Sequence, residues 1–400
     1  MVQFPIVYLN SNDGTGVLAF GEGETFILHK NESIQNLQEF IDEQKGNYLF
    51  GYLSYDLKEQ LHGLKSENKD KLLFPETYFW KPKYAVKLNK ESVEFLQGEK
   101  NSESLNFISQ FMEEETDQNF HAHNFDFKSR ISKDEYVKKV IDIKEQIQLG
   151  NIYELNFCQE FYAENVDIPY EIDTYFKLNT ITQAPYSSYF KFGEFDIFCG
   201  SPERFLKKEG NKLISQPIKG TAPRGGSEAE DLILKSNLEN DPKERAENIM
   251  IVDLVRNDLS RIAAVNSVHV DELCKIYSFE TVHQMISSIS CELKENVNFT
   301  DILKATFPMG SMTGAPKLRA MELIEEFESF KRGIYSGSIG YIKPNGDFDF
   351  NVVIRTLLYN QKERYLSCSV GGAITIQSDP EKEYQECLVK VKRIMDGIND

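Results

Sequence analysis

The chain is short of positive charge, of patterned cysteine and of long apolar runs. Its 45 Lys and Arg face 63 Asp and Glu, a net charge of −18. That deficit argues against nonspecific binding to nucleic acid or to an anionic membrane surface, because basic side chains drive both. An anionic small molecule would need a locally cationic pocket or a metal ion. The six cysteines, Cys158, Cys199, Cys274, Cys291, Cys368 and Cys387, make no CxxC and no short metal-ligand spacing. They read as reduced thiols of a cytoplasmic protein, with zinc set aside. No stretch approaches the roughly 18 apolar residues of a membrane span. The opening MVQFPIVYLNSNDG lacks the basic segment and apolar run of a secretory signal.

Four hundred residues with 40% hydrophobic content suffice for a large core, as two or three units or one intertwined domain. Residues 1 to about 100 hold short alternating runs such as TFILHK, NYLFGYLSYDL and YAVKL, which predict strands and turns with one helix near 32–44. A polar, acidic stretch from 101 to about 125 (NSESLN, MEEETDQN) reads as a surface connection. The expected division is an N-terminal scaffold over 1–110, intertwined with a second region over 125–397. Ser132 and Glu135 make a capping-box pattern ahead of Tyr136, Val140, Ile143 and Ile147, and Gly150 ends that helix before a strand at YELNF. Asp241-Pro242 and Asp379-Pro380 each pair an N-cap with proline at the first helical position.

Those two helix starts carry carboxylates on one face each: Glu244 and Glu247, then Glu383 and Glu386 with Lys390. Glutamates so placed are commonly solvated and complement the helix dipole. If the two faces meet, their charges repel unless a hard divalent cation sits between them, and an all-oxygen site suits Mg²⁺. GSMTGAPK, residues 310–317, offers backbone N–H groups to an anion but lacks the GK[ST] of a nucleotide-binding P-loop, since Leu318 follows Lys317. Arg355, in the β-branched run FNVVIRTLL, lies on a predicted strand and either faces solvent or holds a bidentate anion. Lys219 sits in QPIKGTAP, a turn punctuated by Pro, Gly and Thr where an amine has no structural purpose. As a nucleophile it needs a pocket that lowers its pKa from about 10.4, by desolvation or nearby cations.

QPIKGTAP, ETVHQM (280–285), FPMGSMTGAPKLRAMELIE (307–325) and DPEKEYQECLVK (379–390) together resemble the chorismate-utilising enzymes, and within them the aminodeoxychorismate synthase component I family. The resemblance implies an α+β fold, with two orthogonally packed antiparallel-rich sheets sandwiched between helical layers. It makes 125–397 the chorismate-binding catalytic region. It implies Mg²⁺ held by Glu244, Glu247, Glu383 and Glu386, and substrate contacts from Ser311, Tyr335, Arg355, Gly371, Gly372 and Lys390. Glu203, in SPERF, matches the family's acid for the departing ring hydroxyl, so burial or nearby carboxylates should raise its pKa from about 4.3. His283 matches an active-site histidine whose role stays open. Lys219 stands where anthranilate, isochorismate and salicylate synthases commonly carry alanine, which points to the aminodeoxychorismate branch.

The implied reaction is conversion of chorismate and ammonia to 4-amino-4-deoxychorismate, a p-aminobenzoate and folate precursor, through a Lys219 covalent intermediate. The chain shows no Gly-x-Cys-x-Gly nucleophile elbow of a class I glutamine amidotransferase, so a partner glutaminase subunit is expected to supply ammonia. With the last acidic helix close to residue 400, no fused lyase is expected. The rivals are anthranilate synthase component I, isochorismate or salicylate synthase, and a noncatalytic chorismate-binding subunit. The absence of an LLES-type motif disfavours the first.

Overall fold

The computed structural model describes residues 4–29, 32–90, 92–116 and 120–400. Residues 1–3 of the N-terminal reading and 117–119 of the acidic connection lie outside them. Among the described residues the strands form one 11-stranded and one 10-stranded sheet.

Both sheets are antiparallel, and both draw strands from the two ends of the chain. In the larger, Ile6–Asn10 pairs with Tyr186–Phe192, while Glu154–Glu164 pairs with Tyr365–Ile374. In the smaller, Leu49–Leu53 pairs with Ser338–Ile342. Ile6–Asn10 and Leu49–Leu53 read as almost continuously apolar because side chains alternate between two faces and both faces are buried. Val7, Ala19, Phe190 and Ile197 enter one core cluster with residues of the smaller sheet such as Phe50, Leu53 and Phe350. Their sequence neighbours Ile6, Tyr8, Leu18, Tyr189 and Phe198 join a second cluster with the helices Lys133–Gln148, Glu171–Thr182 and Pro380–Asn399. Helices Pro242–Ser260 and Phe299–Thr306 pack their apolar faces into the first cluster. The expected mixed fold of two large antiparallel sheets with flanking helices is what the structure shows.

Local chemistry sets the elements that matter for the site. The Asp241 carboxylate accepts from the N–H groups of Lys243 and Glu244, and Asp379 from those of Glu381 and Lys382, with proline at the first helical position in both. Each cap satisfies donors that a helix start otherwise leaves unpaired, worth about 1 kcal/mol. Ser132 caps Lys133–Gln148 by accepting from Glu135 N–H. The N-terminal helix spans Gln35–Glu43, inside the 32–44 window.

Four expectations about local structure need correction. The 101–125 stretch is more than a surface connection: Ser102–Thr116 is a helix that buries Ile108 and Phe111 in the second core cluster. The first hundred residues hold a second helix, Lys58–His62, besides Gln35–Glu43. Lys219 lies on a strand, Ile218–Pro223, rather than in a free turn; the pairing of that strand with Val282–Glu292 slips between Ile218 and Thr221. Gly220 sits in the slip at φ +86° and permits it. Arg355 is not within a strand either. It falls between Phe348–Asn351 and Thr356–Asn360 with φ 54°. A non-glycine residue held there costs about 1–3 kcal/mol, a strain that clusters at functional sites.

Candidate active site

A cavity of about 520 Å³ opens where the strand ends meet the starts of the two capped helices. One wall is made of strands. Glu203, which with Pro202 joins Phe195–Ser201 to Arg204–Glu209, is 4% exposed, and Ser311 Oγ donates to its Oε1 at 2.7 Å. Burial pushes the Glu203 carboxyl up to about 7, against the Ser311 hydrogen bond and the charges of Lys219 and Arg355. A carboxyl tuned there is protonated in about half the molecules at neutral pH, which suits a general acid. Ser311 is carried by the short helical turn Gly310–Met312, followed by Gly314 at φ +151°. A Cβ on Gly314 would come within 2.2 Å of the Glu154 carbonyl, so only glycine lets this loop lie against Glu154–Glu164.

Lys219 opens onto the same cavity, and its Nζ donates to Glu154 Oε1 at 3.1 Å. Desolvation favours its neutral amine, but the charges of Glu154, Glu247 and Glu203 outweigh it, so its pKa stands above the ordinary lysine value. The expectation of a lowered pKa is therefore wrong for this state of the pocket. The carboxylates that surround the amine win over burial, and the resting lysine is an ammonium.

The other wall is made of helices. Glu244, Glu247, Glu383 and Glu386 all line the cavity, so the two acidic faces meet. Glu247 is 9% exposed and its Oε1 is buried without a hydrogen-bond partner. Burial raises its carboxyl to about 7, with Glu154 and Glu244 adding to the effect and Lys219 and Lys243 opposing it. Between the helices stands Lys243, whose Nζ lies 3.8 Å from Glu247 and 3.7 Å from Glu383. Lys390 pairs with Glu386 at 2.7 Å and donates to the Gly371 carbonyl at 3.3 Å. Burial raises the Glu386 carboxyl, but Lys390 overrides that and holds it below the ordinary carboxylate range. Among the described residues no three acidic, His or Cys side chains are arranged as a ready-made metal site. One ammonium, Lys243, offsets the repulsion between the two helix starts.

Tyr335, Arg355, Gly371 and Gly372 also line the cavity. Arg355 makes no ion pair with any described residue, and burial together with Arg393 depresses its pKa. A half-buried guanidinium without an ion-pair partner favours an anion beside it. Gly371 opposes Cys158 across the sheet, and a Cβ there would meet Cys158 Sγ at 2.5 Å. Gly372 has no such crowding; a Cβ there would only touch Glu383 at 3.5 Å.

His283 is not brought to the cavity. Its neighbours Val282 and Gln284 line it, and strand alternation turns His283 the other way. There its Nε2 lies 2.9 Å from Asp231 Oδ1 and its Nδ1 2.9 Å from Ser278 Oγ, while Arg224 forks onto Asp231. This ties the strand to helix Glu228–Asn240. Sequence reasoning missed Gln284, whose Oε1 is buried and unpartnered; the same alternation could have found it. It also missed Glu154 and Lys243. Nothing local marks Glu154, since its partner Lys219 is 65 positions away.

The family described as chorismate binding enzyme matches residues 4–396. The chain belongs to that family. Over 270 residues it is 39% identical to aminodeoxychorismate synthase component 1 of Escherichia coli, covering 68% of this chain and 59% of that one. It thus spans less than two thirds of that relative's length. It is 34% identical over 378 residues to anthranilate synthase component 1 of Lactococcus lactis, covering 90% of this chain and 81% of the relative. Its fold matches the crystal structure of anthranilate synthase component I from Streptococcus pneumoniae with a TM-score of 0.78 at 27% identity, over 97% of this chain and 89% of that one. No helix among the described residues is long and apolar enough to cross a membrane.

Proposed function

We propose that this chain is the chorismate-converting component of an aminodeoxychorismate synthase, making 4-amino-4-deoxychorismate from chorismate and ammonia. The observation that carries this reading is Lys219: an amine facing the cavity, across from a buried carboxyl tuned to about 7. Arg355 and Lys390 supply positive charge for the substrate's carboxylates, and Tyr335 and Gly371 shape the floor. Lys219 attacks ring carbon 2 while Glu203 protonates the hydroxyl leaving carbon 4; ammonia then enters at carbon 4 and displaces the lysine. The enolpyruvyl ether is left intact.

Glu244, Glu247, Glu383 and Glu386 fit Mg²⁺ by donor type, and the buried Glu247 Oε1, which accepts no hydrogen bond and has only the Lys243 ammonium at 3.8 Å, is available as a ligand atom. Lys243 would have to withdraw for the ion to enter. When bound, Mg²⁺ would neutralise a substrate carboxylate and lower the charge that now keeps Lys219 protonated. Ammonia comes from a separate glutaminase subunit, and the proposed setting is the cytoplasm. Two lines of support for the subunit are the "component 1" of the E. coli relative's name and the lack of an amidotransferase elbow in this sequence.

The similarity to anthranilate synthase component 1 supports a second reading, amination at carbon 2 with loss of pyruvate. Product identification separates the two. Chorismate, Mg²⁺ and ammonium incubated with the chain should give aminodeoxychorismate by mass spectrometry; anthranilate with released pyruvate would favour the second.

A further inference from the structure

Behind the Lys219 amine, on the strand wall but not among the residues that line the cavity, lies one buried carboxylate that the reaction as described leaves idle. Glu154 is 1% exposed, its Oε1 receives the Lys219 ammonium at 3.1 Å, and its Oε2 is buried without any partner. Its backbone is held by the short strand Gly314–Ala315: it pairs with Ala315 in the register, and its carbonyl meets the tight approach of Gly314. Among the described residues it is the carboxylate that ion-pairs with Lys219. Glu203 and, from helix Pro242–Ser260, Glu247 also face the amine, but Glu203 is engaged by Ser311.

We propose that Glu154 is the proton acceptor that converts Lys219 from resting ammonium to nucleophilic amine. This rests on the reading of Lys219 as the covalent nucleophile. The side chain of Lys219 is 11% exposed, so water reaches the pair only through the cavity mouth. Substrate filling the cavity removes that water, and two full charges in a dry site are less stable than the neutral pair reached by moving one proton. The orphan Oε2 gives the proton a second place to sit.

In the full cycle a proton passes from Lys219 Nζ to Glu154; the freed pair forms the bond to carbon 2, the ring double bonds shift, and the carbon 4–oxygen bond breaks, leaving as water with the Glu203 proton. When ammonia bonds to carbon 4, the carbon 2–Nζ bond breaks with its electrons going to lysine. The proton held by Glu154 returns to Lys219, and the proton shed by the new ammonium on carbon 4 restores Glu203. Nothing is oxidised or reduced, and the sum is chorismate plus ammonia giving aminodeoxychorismate plus water.

Glu154→Gln keeps the shape and an acceptor oxygen but takes no proton. With ammonium as the nitrogen source, its kcat near neutral pH should fall about 10²-fold with KM almost unchanged, and its deficit relative to wild type at the same pH should shrink about tenfold per pH unit as solvent base frees the amine, the loss of the Glu203 proton being common to both. Labelling of Lys219 by acetic anhydride, read by peptide mass spectrometry without substrate, should shift to lower pH in the same variant, because a charge that holds the ammonium is gone. A lysine that is easier to deprotonate yet turns over more slowly is the signature of a lost proton acceptor. An unchanged or higher neutral-pH kcat overturns the proposal. Should the glutamine variant not fold, Glu154→Asp should keep the wild-type pH profile at lower kcat, and a deficit relative to wild type that shrinks steeply with pH there overturns it. Wild-type turnover to aminodeoxychorismate with an unaffected Glu154 variant sinks this inference alone; wild type that makes no aminodeoxychorismate sinks the reading beneath it as well.

Discussion

The two walls of the cavity manage charge in opposite ways. On the helix wall, Glu244, Glu247, Glu383 and Glu386 are balanced by lysines that remain close to solvent: the Lys243 and Lys390 side chains are 42% and 47% exposed. On the strand wall, Glu203 and Glu154 are almost sealed and lean on single partners, Ser311 and Lys219. Water reaches the lysines of the first wall and barely reaches the second, so the same residue type does different work on each. The helix wall is adjustable and suited to admitting a cation. The strand wall is preorganised and suited to moving protons.

That contrast orders the expected effects of mutation. Lys219→Ala should reduce aminodeoxychorismate formation by at least about 10³-fold while chorismate binding stays measurable by calorimetry. Equal losses in binding and turnover would mean the strand wall only holds substrate. Glu203→Gln should cost about 10²–10⁴-fold in kcat. In wild type, kcat should fall as pH rises through about 7 and the acid loses its proton.

Glu203 also makes a stability prediction whose sign is opposite to that of a salt-bridged carboxylate. Its folded pKa is raised, so above the unfolded value the folded state holds more protons, and stability is lost as pH climbs from about 4.5 through about 7. At about 1.4 kcal/mol per pKa unit, this amounts to roughly 3 kcal/mol. Glu203→Gln should therefore melt higher than wild type at pH near 8 and show little gain near pH 4. A variant that melts lower at both values would show the carboxyl to be structural.

How much of each wall is legible in the sequence follows from the same contrast. The helix wall depends on local rules: Asp-Pro caps open both helices, and a three-residue spacing puts two glutamates on one face of each. Those rules are enough to place the four glutamates, although not the Lys243 bridge between them. The strand wall is built from residues far apart in sequence, with Ser311 108 positions from Glu203. Motifs identified Glu203, Lys219 and Ser311 singly, but no local pattern predicts which partner each meets, and so neither the direction of the Lys219 pKa nor Glu154 could be read. His283 failed for a related reason: a motif gives identity, while strand parity decides which face a side chain takes, and Gln284 holds the cavity side.

Smaller effects should test the helix wall. Glu247→Gln should raise the Mg²⁺ concentration for half-maximal activity about tenfold, and Lys243→Met should lower it a few-fold by removing the resident cation, roughly 1 kcal/mol or less of coupling for so exposed a lysine. Both are read by titrating Mg²⁺ against chorismate turnover. No response in either variant would separate the acidic helices from cation binding. The smallest change expected is in stability on losing the exposed Glu386–Lys390 pair: Lys390→Ala should alter unfolding free energy by less than about 1 kcal/mol.

The central claim is that the Lys219 amine bonds to the substrate ring. The most direct measurement is peptide mass spectrometry of the chain after incubation with chorismate and Mg²⁺ in ammonia-free buffer. A dehydrated chorismate adduct on the peptide containing Lys219, discharged as aminodeoxychorismate when ammonium is added, is the predicted result. Steady conversion of chorismate with ammonium by the Lys219→Ala variant, and no adduct on the wild-type peptide, would contradict it.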